Sequence, residues 1–239
     1  MTKLTKNGKR VGCFIIHEMY GTCAGDNTLS YYMKEQGYIT YCCTPATCYN
    51  SCDAMNPNIY YEWLHFAEKE LAHFVNECYT VVVIGYSIGG LIGIHLAEKY
   101  RVDALITINA PIYISDFRGL VGMLQYEPEK KSHSNVNRVV ISTLYNLLNF
   151  KKLVNQAKRK LSKLHCPLLV IQSKKVKIIN WSSAHYIFEN VCSREKEIQF
   201  FPKSGHYILC DSERQLVFIR VHQFIEKAME SKLMVEGYI

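Results

Sequence analysis

Thr80-Val81-Val82-Val83-Ile84-Gly85-Tyr86-Ser87-Ile88-Gly89-Gly90-Leu91-Ile92-Gly93-Ile94 is the stretch that decides the fold. Thr80 to Ile84 is a β-branched run that reads as a strand buried on both faces. Ile88 to Tyr100 reads as an almost wholly apolar helix. Between them stands Gly85-Tyr86-Ser87-Ile88-Gly89, a serine with glycine two positions before and two after. At a strand-to-helix turn of this kind the serine takes a strained backbone that points its hydroxyl over the edge of the sheet, and small residues at those two positions avoid clashes. A glycine-rich turn with an idle serine is the competing reading; the strand before and the helix after favour the nucleophile.

Outward from this turn, strand-length apolar runs alternate with helix-period segments, the pattern of a mostly parallel sheet covered by helices on both faces. On the N-terminal side, Val11 to Ile16 reads as a buried strand. Asn27 to Gln36 reads as a helix that Asp26 caps and Gly37 ends, and Tyr38 to Cys43 as the next strand. A long helix is predicted from Asn56 and Pro57 to about Cys78, its apolar stripe running through Ile59, Trp63, Phe66, Ala67, Leu71, Phe74, Val75 and Cys78. On the C-terminal side, Ala104 to Asn109 reads as a strand. The alternation then lapses over residues 112–165, which have helical periodicity and read as a helical cap inserted in a single domain of residues 1–239. It resumes with a strand at Pro167 to Gln172, a helix at Ser182 to Asn190 and a strand at Glu197 to Phe201. A last helix opens at Ser212, with Gln215 in capping-box spacing.

A serine hydroxyl needs a base within hydrogen-bond reach. Of the nine histidines, His65, His73, His95 and His222 fall within helices, and His133, His165 and His185 lack turn context. His206 differs: it follows the last predicted strand in Pro202-Lys203-Ser204-Gly205-His206. That loop shares the C-terminal sheet edge with Ser87, where open α/β sheets hold ligands. An attacked carbonyl becomes an oxyanion and needs preorganised N–H donors. Ile88, at a helix N-terminus, is one candidate; Met19, in the loop after the first strand, is the other.

The bulk properties narrow the partners. A formal charge of +7 could suggest an anionic partner, but the densest basic run (Lys151, Lys152, Lys158, Arg159, Lys160, Lys163) has the look of a solvated helix face, so no nucleic-acid partner is expected. The longest uncharged run, Val81 to Ile94, is glycine-interrupted and shorter than the roughly 18 residues that span a bilayer, so no stable membrane insertion is expected. The apolar stretch after the basic N-terminus is too short for a secretory signal, which points to a cytoplasmic protein. Ten cysteines show neither zinc-ligand spacing nor disulfide-scaffold density, and most are expected to be buried thiols; no metal is expected even at Cys42, Cys43, Cys48 and Cys52.

Several motifs together resemble the monoacylglycerol lipase and small thermophilic carboxylesterase group of α/β-hydrolases over nearly the whole chain. His17-Glu18-Met19-Tyr20-Gly21 is similar to that group's HGFTG loop, and Gly85-Tyr86-Ser87-Ile88-Gly89-Gly90 to its GLSLGG elbow. Ala110-Pro111-Ile112-Tyr113 is similar to its APMY turn and Ser204-Gly205-His206 to its SGH. The resemblance implies an α/β-hydrolase fold with a small helical cap and cleavage of short to medium acyl esters or monoglycerides, a small-molecule ester substrate, without a cofactor. Three positions depart from the pattern. Glu18 replaces a glycine, the GHG loop falls near Ala46-Thr47-Cys48, and the segment that supplies the catalytic aspartate aligns with Lys175-Val176-Lys177. A valine cannot accept a hydrogen bond from His206, and loss of that acid in other triads lowers turnover by about four orders of magnitude.

Of the five aspartates, Asp116 lies soon after the strand that follows the elbow helix and is the candidate replacement acid; Asn180 is a weaker orienting group. Glu18 and Tyr86 are candidate substrate contacts. Glu18 either selects a cationic substrate or points to solvent with only its backbone in use. Three functional readings stand, the last, an anion or nucleic-acid binder, resting only on the net charge. One is a serine carboxylester hydrolase, with Ser87, His206 and Asp116 catalytic and Met19 and Ile88 holding the oxyanion. The second is a non-catalytic or weakly active hydrolase-fold binding protein.

Overall fold

The run from Thr80 to Tyr86 forms a strand buried along its whole length, and the turn that follows leads directly into a helix from Ile88 to Lys99. The computed structural model describes residues 10–17, 28–44, 58–100, 102–124 and 136–235. In chain order its elements are β1 (Val11–Ile16), α1 (Leu29–Glu35), β2 (Ile39–Cys43), α2 (Ile59–Phe74), β3 (Thr80–Tyr86), α3 (Ile88–Lys99) and β4 (Ala104–Ile108). Then come α4 (Phe117–Leu124), α5 (Val136–Leu161), β5 (Leu168–Ser173), α6 (Ser182–Asn190), β6 (Lys196–Phe201) and α7 (Arg214–Val235).

The strands lie in the order β2-β1-β3-β4-β5-β6, and every neighbouring pair is parallel. Side chains alternate across the sheet with the period of a strand. Phe14, Ile16, Val81, Val83, Leu105, Leu168 and Val170 face α2, α3, α5 and α6. Cys13, Ile15, Val82, Ile84, Ile106, Leu169 and Ile171 face α1 and α7. Two layers of helix therefore bury both faces, which is why the central strands carry no polar alternation. Strand order reverses between β1 and β3, and the crevice outside the carboxyl ends of these strands is where such sheets hold ligands.

Element types follow the sequence closely; the ends differ for local reasons. Thr28, not Asp26, caps α1: its side chain accepts from the Tyr31 N–H at 3.2 Å, while Asp26 lies outside the described residues. Gly37, at φ 88°, ends that helix. Helix α2 stops at Phe74 rather than Cys78, although Cys78 still packs into the same core. The capping box expected from Ser212 is not used. Helix α7 begins at Arg214, and the acids beside its start, Asp211 and Glu213, turn back to the loop after β6.

The helical stretch expected over residues 112–165 holds α4 and α5 among the described residues. The second half of α5 buries Phe150, Leu153, Val154, Ala157 and Leu161 against the common core, so it also serves as a layer helix. An isolated antiparallel bridge, Ile114 with Ile179, stitches the start of the stretch to the loop after β5. Cys13, Cys43 and Cys78 are buried thiols as expected, but Cys192 and Cys210 are exposed thiols and Cys42 is disulfide-bonded. Among the described residues no helix is long and apolar enough to cross a membrane.

Two glycines separate packing from propensity. A Cβ on Gly89 would lie 2.2 Å from the Ile16 carbonyl oxygen, whereas one on Gly122 meets nothing within 4 Å. Gly89→Ala should lower unfolding free energy by more than about 3 kcal/mol. Gly122→Ala, inside a helix, should raise it by up to about 1 kcal/mol. Urea denaturation of the two variants checks both signs.

Candidate active site

Ser87 sits between β3 and α3 with φ 55° and ψ −122°. A serine held there costs on the order of 1–3 kcal/mol, which the surroundings must offset. They do so by crowding. A Cβ on Gly85 would lie 2.3 Å from the Gly89 carbonyl oxygen, and one on Gly90 would lie 2.7 Å from Ala110 Cβ. The Ser87 N–H donates to Ile108 O at 2.8 Å, and its own carbonyl accepts from the Gly90 N–H at 2.9 Å. The elbow is thereby locked to β4 on one side and to its own helix on the other. Ile88 opens α3, so its N–H belongs to the first turn, whose donors have no intrahelical acceptor and which carries the positive end of the helix dipole. Met19 and Glu18 lie outside the described residues.

The Ser87 side chain is fully buried, and its hydroxyl donates to Met123 Sδ on α4 at 3.8 Å. Among the described residues it makes no hydrogen bond to His206. The Met123 thioether of α4 covers the hydroxyl instead.

His206 occupies a turn after β6, at the expected sheet edge. Its carbonyl accepts from Tyr86 Oη at 2.6 Å, from Asn109 Nδ2 at 3.0 Å and from the Ile208 N–H at 2.9 Å. Its ring packs 5.7 Å from the Tyr86 ring and 5.3 Å from the Tyr207 ring. The preceding loop is held by two carboxylates. Glu213, buried, accepts from the Lys203 N–H at 2.9 Å, and from the Ser204 N–H and Ser204 Oγ at 2.7 Å each. Asp211 accepts from the Gly205 N–H at 2.9 Å and from the Ser212 N–H at 2.7 Å. These amides, helped by the nearby Lys175 charge, hold the Asp211 carboxyl below its usual range.

Asn109, at φ 49°, is fully buried and joins three elements. Its Nδ2 donates to Ser173 Oγ at 3.1 Å as well as to His206 O, and its Oδ1 accepts from the Ser173 N–H at 2.8 Å. Its own N–H donates to Ile171 O at 2.9 Å. Sequence reasoning missed Asn109, Glu213 and Asp211 as parts of the site. Asn109 carried one usable signal: asparagine at a strand end tolerates positive φ and bonds nearby backbone.

The structure brings Ser87, Ile88, Tyr86 and the His206 loop together. It places the other expected residues elsewhere. Asp116 caps α4, its Oδ1 accepting from the Arg118 N–H at 3.0 Å and the Gly119 N–H at 3.1 Å, and it makes no hydrogen bond to His206. Asn180 accepts from the Ser182 N–H at 3.0 Å, at the start of α6. Tyr86, expected as a substrate contact, is buried, and its hydroxyl holds the His206 main chain. Val176 is buried in the loop after β5. Of the histidines read as packing residues, His95 pairs with Glu68 at 2.6 Å between α2 and α3. Among the described residues no group of histidine, cysteine, aspartate and glutamate could hold a metal.

No family model matches the chain. It is 23% identical over 238 residues to the carboxylesterase of Bacillus subtilis (strain 168), spanning 93% of this chain and 95% of that one. It is 25% identical over 232 residues to the thermostable monoacylglycerol lipase of Bacillus sp. (strain H-257), spanning 91% of each. Its fold is similar to the crystal structure of Paleococcus ferrophilus monoacylglycerol lipase, with a TM-score of 0.66 at 14% identity over 96% of both chains.

The carboxylate grip on the His206 loop is testable. Glu213→Ala leaves three donors without their acceptor, two of them on buried Ser204, and should cost about 2–4 kcal/mol by urea denaturation. Asp211 titrates lower in the folded chain than its ordinary value near 3.8. Its contribution is therefore present above that value and lost as pH falls through the depressed one. Asp211→Asn should flatten the acid limb of the stability profile below about pH 4, measured by thermal melting in a pH series.

Proposed function

We propose that this chain, which has the α/β-hydrolase fold, is a serine carboxylester hydrolase acting on short to medium acyl esters or monoglycerides. The observation that carries the reading is Ser87: a buried serine in a left-handed backbone, crowded by glycines at the carboxyl edge of the sheet. The resemblance to a carboxylesterase and a monoacylglycerol lipase over almost the full chain supports the same chemistry.

In this mechanism Ser87 Oγ attacks the ester carbonyl while His206 takes its proton. The oxyanion is received by the Ile88 N–H and by the Met19 N–H of the loop after β1. His206 returns the proton to the departing alcohol. A water, deprotonated by His206, then attacks the acyl-enzyme, and the acid leaves as Ser87 recovers its proton. A productive carbonyl carbon must come within about 3–3.5 Å of Oγ, so Met123 has to withdraw from the hydroxyl before the substrate can enter.

A second reading, a hydrolase-fold binding protein without turnover, is favoured by buried Val176 at the acid position and by the engagement of the Asp116 carboxylate at α4. Reaction with a fluorophosphonate probe, mapped by mass, separates the two. Labelling at Ser87, with p-nitrophenyl ester turnover that Ser87→Ala abolishes, is the expected result; an unlabelled Ser87 and no turnover would establish the binding protein. Asp116→Asn assigns the acid. A fall in turnover of about 10³-fold or more puts Asp116 in the triad once α4 releases it, and unchanged turnover removes it. Met123→Ala should speed labelling by a bulky fluorophosphonate several-fold relative to a small one. Equal acceleration of both, or none, would show that the thioether does not limit the acyl side.

A further inference from the structure

Residues 130–188 contain twelve lysines and arginines and no aspartate or glutamate, while the rest of the chain carries 16 basic against 21 acidic residues. The charge of +7 is therefore concentrated in one acid-free stretch, and α5 is its core. One face of this helix is accounted for, since Phe150, Leu153, Val154, Ala157 and Leu161 lie in the hydrophobic core.

The other face exposes Val140 (61%), Ile141 (40%), Leu144 (55%) and Leu148 (44%) to solvent. Continuing along the same stripe are the exposed residues Lys151, Lys152, Asn155 and Arg159. Counted from Val140 these positions are i, +1, +4, +8, +11, +12, +15 and +19, a single helical face about 28 Å long. Its first half is apolar and its second half basic. Helix α7 also shows Leu216 and Ile219 to solvent, but it interleaves Glu226 and Glu230 among its residues. The eight-residue α4 also lacks acids but carries a single cation, Arg118, so among the described helices α5 is the one that joins an exposed apolar stripe to a run of cations without acids.

We propose that the outer face of α5 docks peripherally on an anionic lipid bilayer. The apolar half enters the boundary between headgroups and acyl chains, and the basic half meets the negative headgroups; this is the composition by which interfacial helices bind without crossing. Charge complementarity selects the anionic bilayer. The docked face adjoins the site: Asn146 Nδ2 of α5 donates to Leu124 O of α4 at 3.1 Å, next to the Met123 that covers Ser87. Docking does not require turnover, so its test is kept separate from that of the hydrolase.

The test uses the full chain carrying Ser87→Ala, sedimented with vesicles of phosphatidylcholine alone or of equal parts phosphatidylcholine and phosphatidylglycerol. Affinity for the mixed vesicles should exceed that for phosphatidylcholine by about tenfold or more and fall as salt is raised. Lys151→Gln with Lys152→Gln should weaken it by about tenfold, and Leu144→Glu with Leu148→Glu should abolish it while leaving the melting temperature near that of the parent. Lys34→Gln, on α1, serves as the control and should leave binding unchanged. Equal binding to both vesicles would overturn the proposal. So would binding retained by the folded leucine variant, the same loss from Lys34→Gln, or displacement of the protein from vesicles by polyglutamate or single-stranded DNA at equal charge.

Discussion

The close approach of three backbones at the end of β3 is the constraint on which the rest depends. Gly85 and Gly89 meet across the turn, and Gly89 lies against the last carbonyls of β1. No side chain larger than hydrogen fits either contact, so α3 enters directly over the crevice between β1 and β3. That geometry fixes three things at once. It forces Ser87 into its left-handed backbone, aims the N-terminus of α3 at the serine's own position, and sets the end of β1 against Gly89. The strain at Ser87 persists because β4 holds its N–H and α3 holds its carbonyl. The proposed nucleophile and the proposed site for negative charge thus arise from one packing decision.

His206, the proposed base, is positioned by different means. Ile208 and Leu209 anchor the far side of this loop in the core, and hydrogen bonds order the residues before them. Glu213 and Asp211 gather the amides of residues 203–205, and Tyr86 and Asn109 close on the His206 carbonyl. Tyr86 neighbours the nucleophile in sequence, and Asn109 follows the strand to which Ser87 is bonded. The base loop is therefore referenced to the elbow through two independent links, which keeps serine and histidine at one edge although 119 residues separate them.

Much of this was legible in the sequence, for physical reasons that can be named. Buried parallel strands must be apolar on both faces, so β1, β3, β4 and β5 stand out as β-branched runs. The elbow is legible because steric exclusion leaves few residue choices at positions 85 and 89. Caps are less legible: Asp26 and Thr28 are both competent, and only the entry angle of the chain decides between them. Glu213 reads equally well as a first-turn acid of α7, and nothing local says that its carboxylate reaches back to Ser204. The side-chain bonds of Asn109 and Tyr86 leave no trace in the sequence because their partners lie 64 to 120 residues away, and long-range pairing of polar groups has no period. The candidate acid Asp116 was placed by chain order alone, which could not reveal that the N-terminus of α4 would engage it.

A triad acid does two jobs: it orients the imidazole and it stabilises the imidazolium that forms when the base takes a proton. In this chain the two are separable. Orientation of the loop is supplied by Asn109, Tyr86, Glu213 and Asp211, which act on its main chain and do not require a carboxylate at position 176. Charge stabilisation is another matter, because the segment at the acid position reads Lys175-Val176-Lys177, with Val176 buried, and a buried aliphatic group offers an imidazolium no counter-charge. The architecture of the site can therefore be kept whole even if the proposed reaction is slowed, since the bonds that fold the His206 loop are not the ones that would stabilise an imidazolium. Intact serine and histidine loops beside an altered acid position are, on this argument, no contradiction: packing and hydrogen bonding are enough to hold the two loops in place whatever residue stands at position 176.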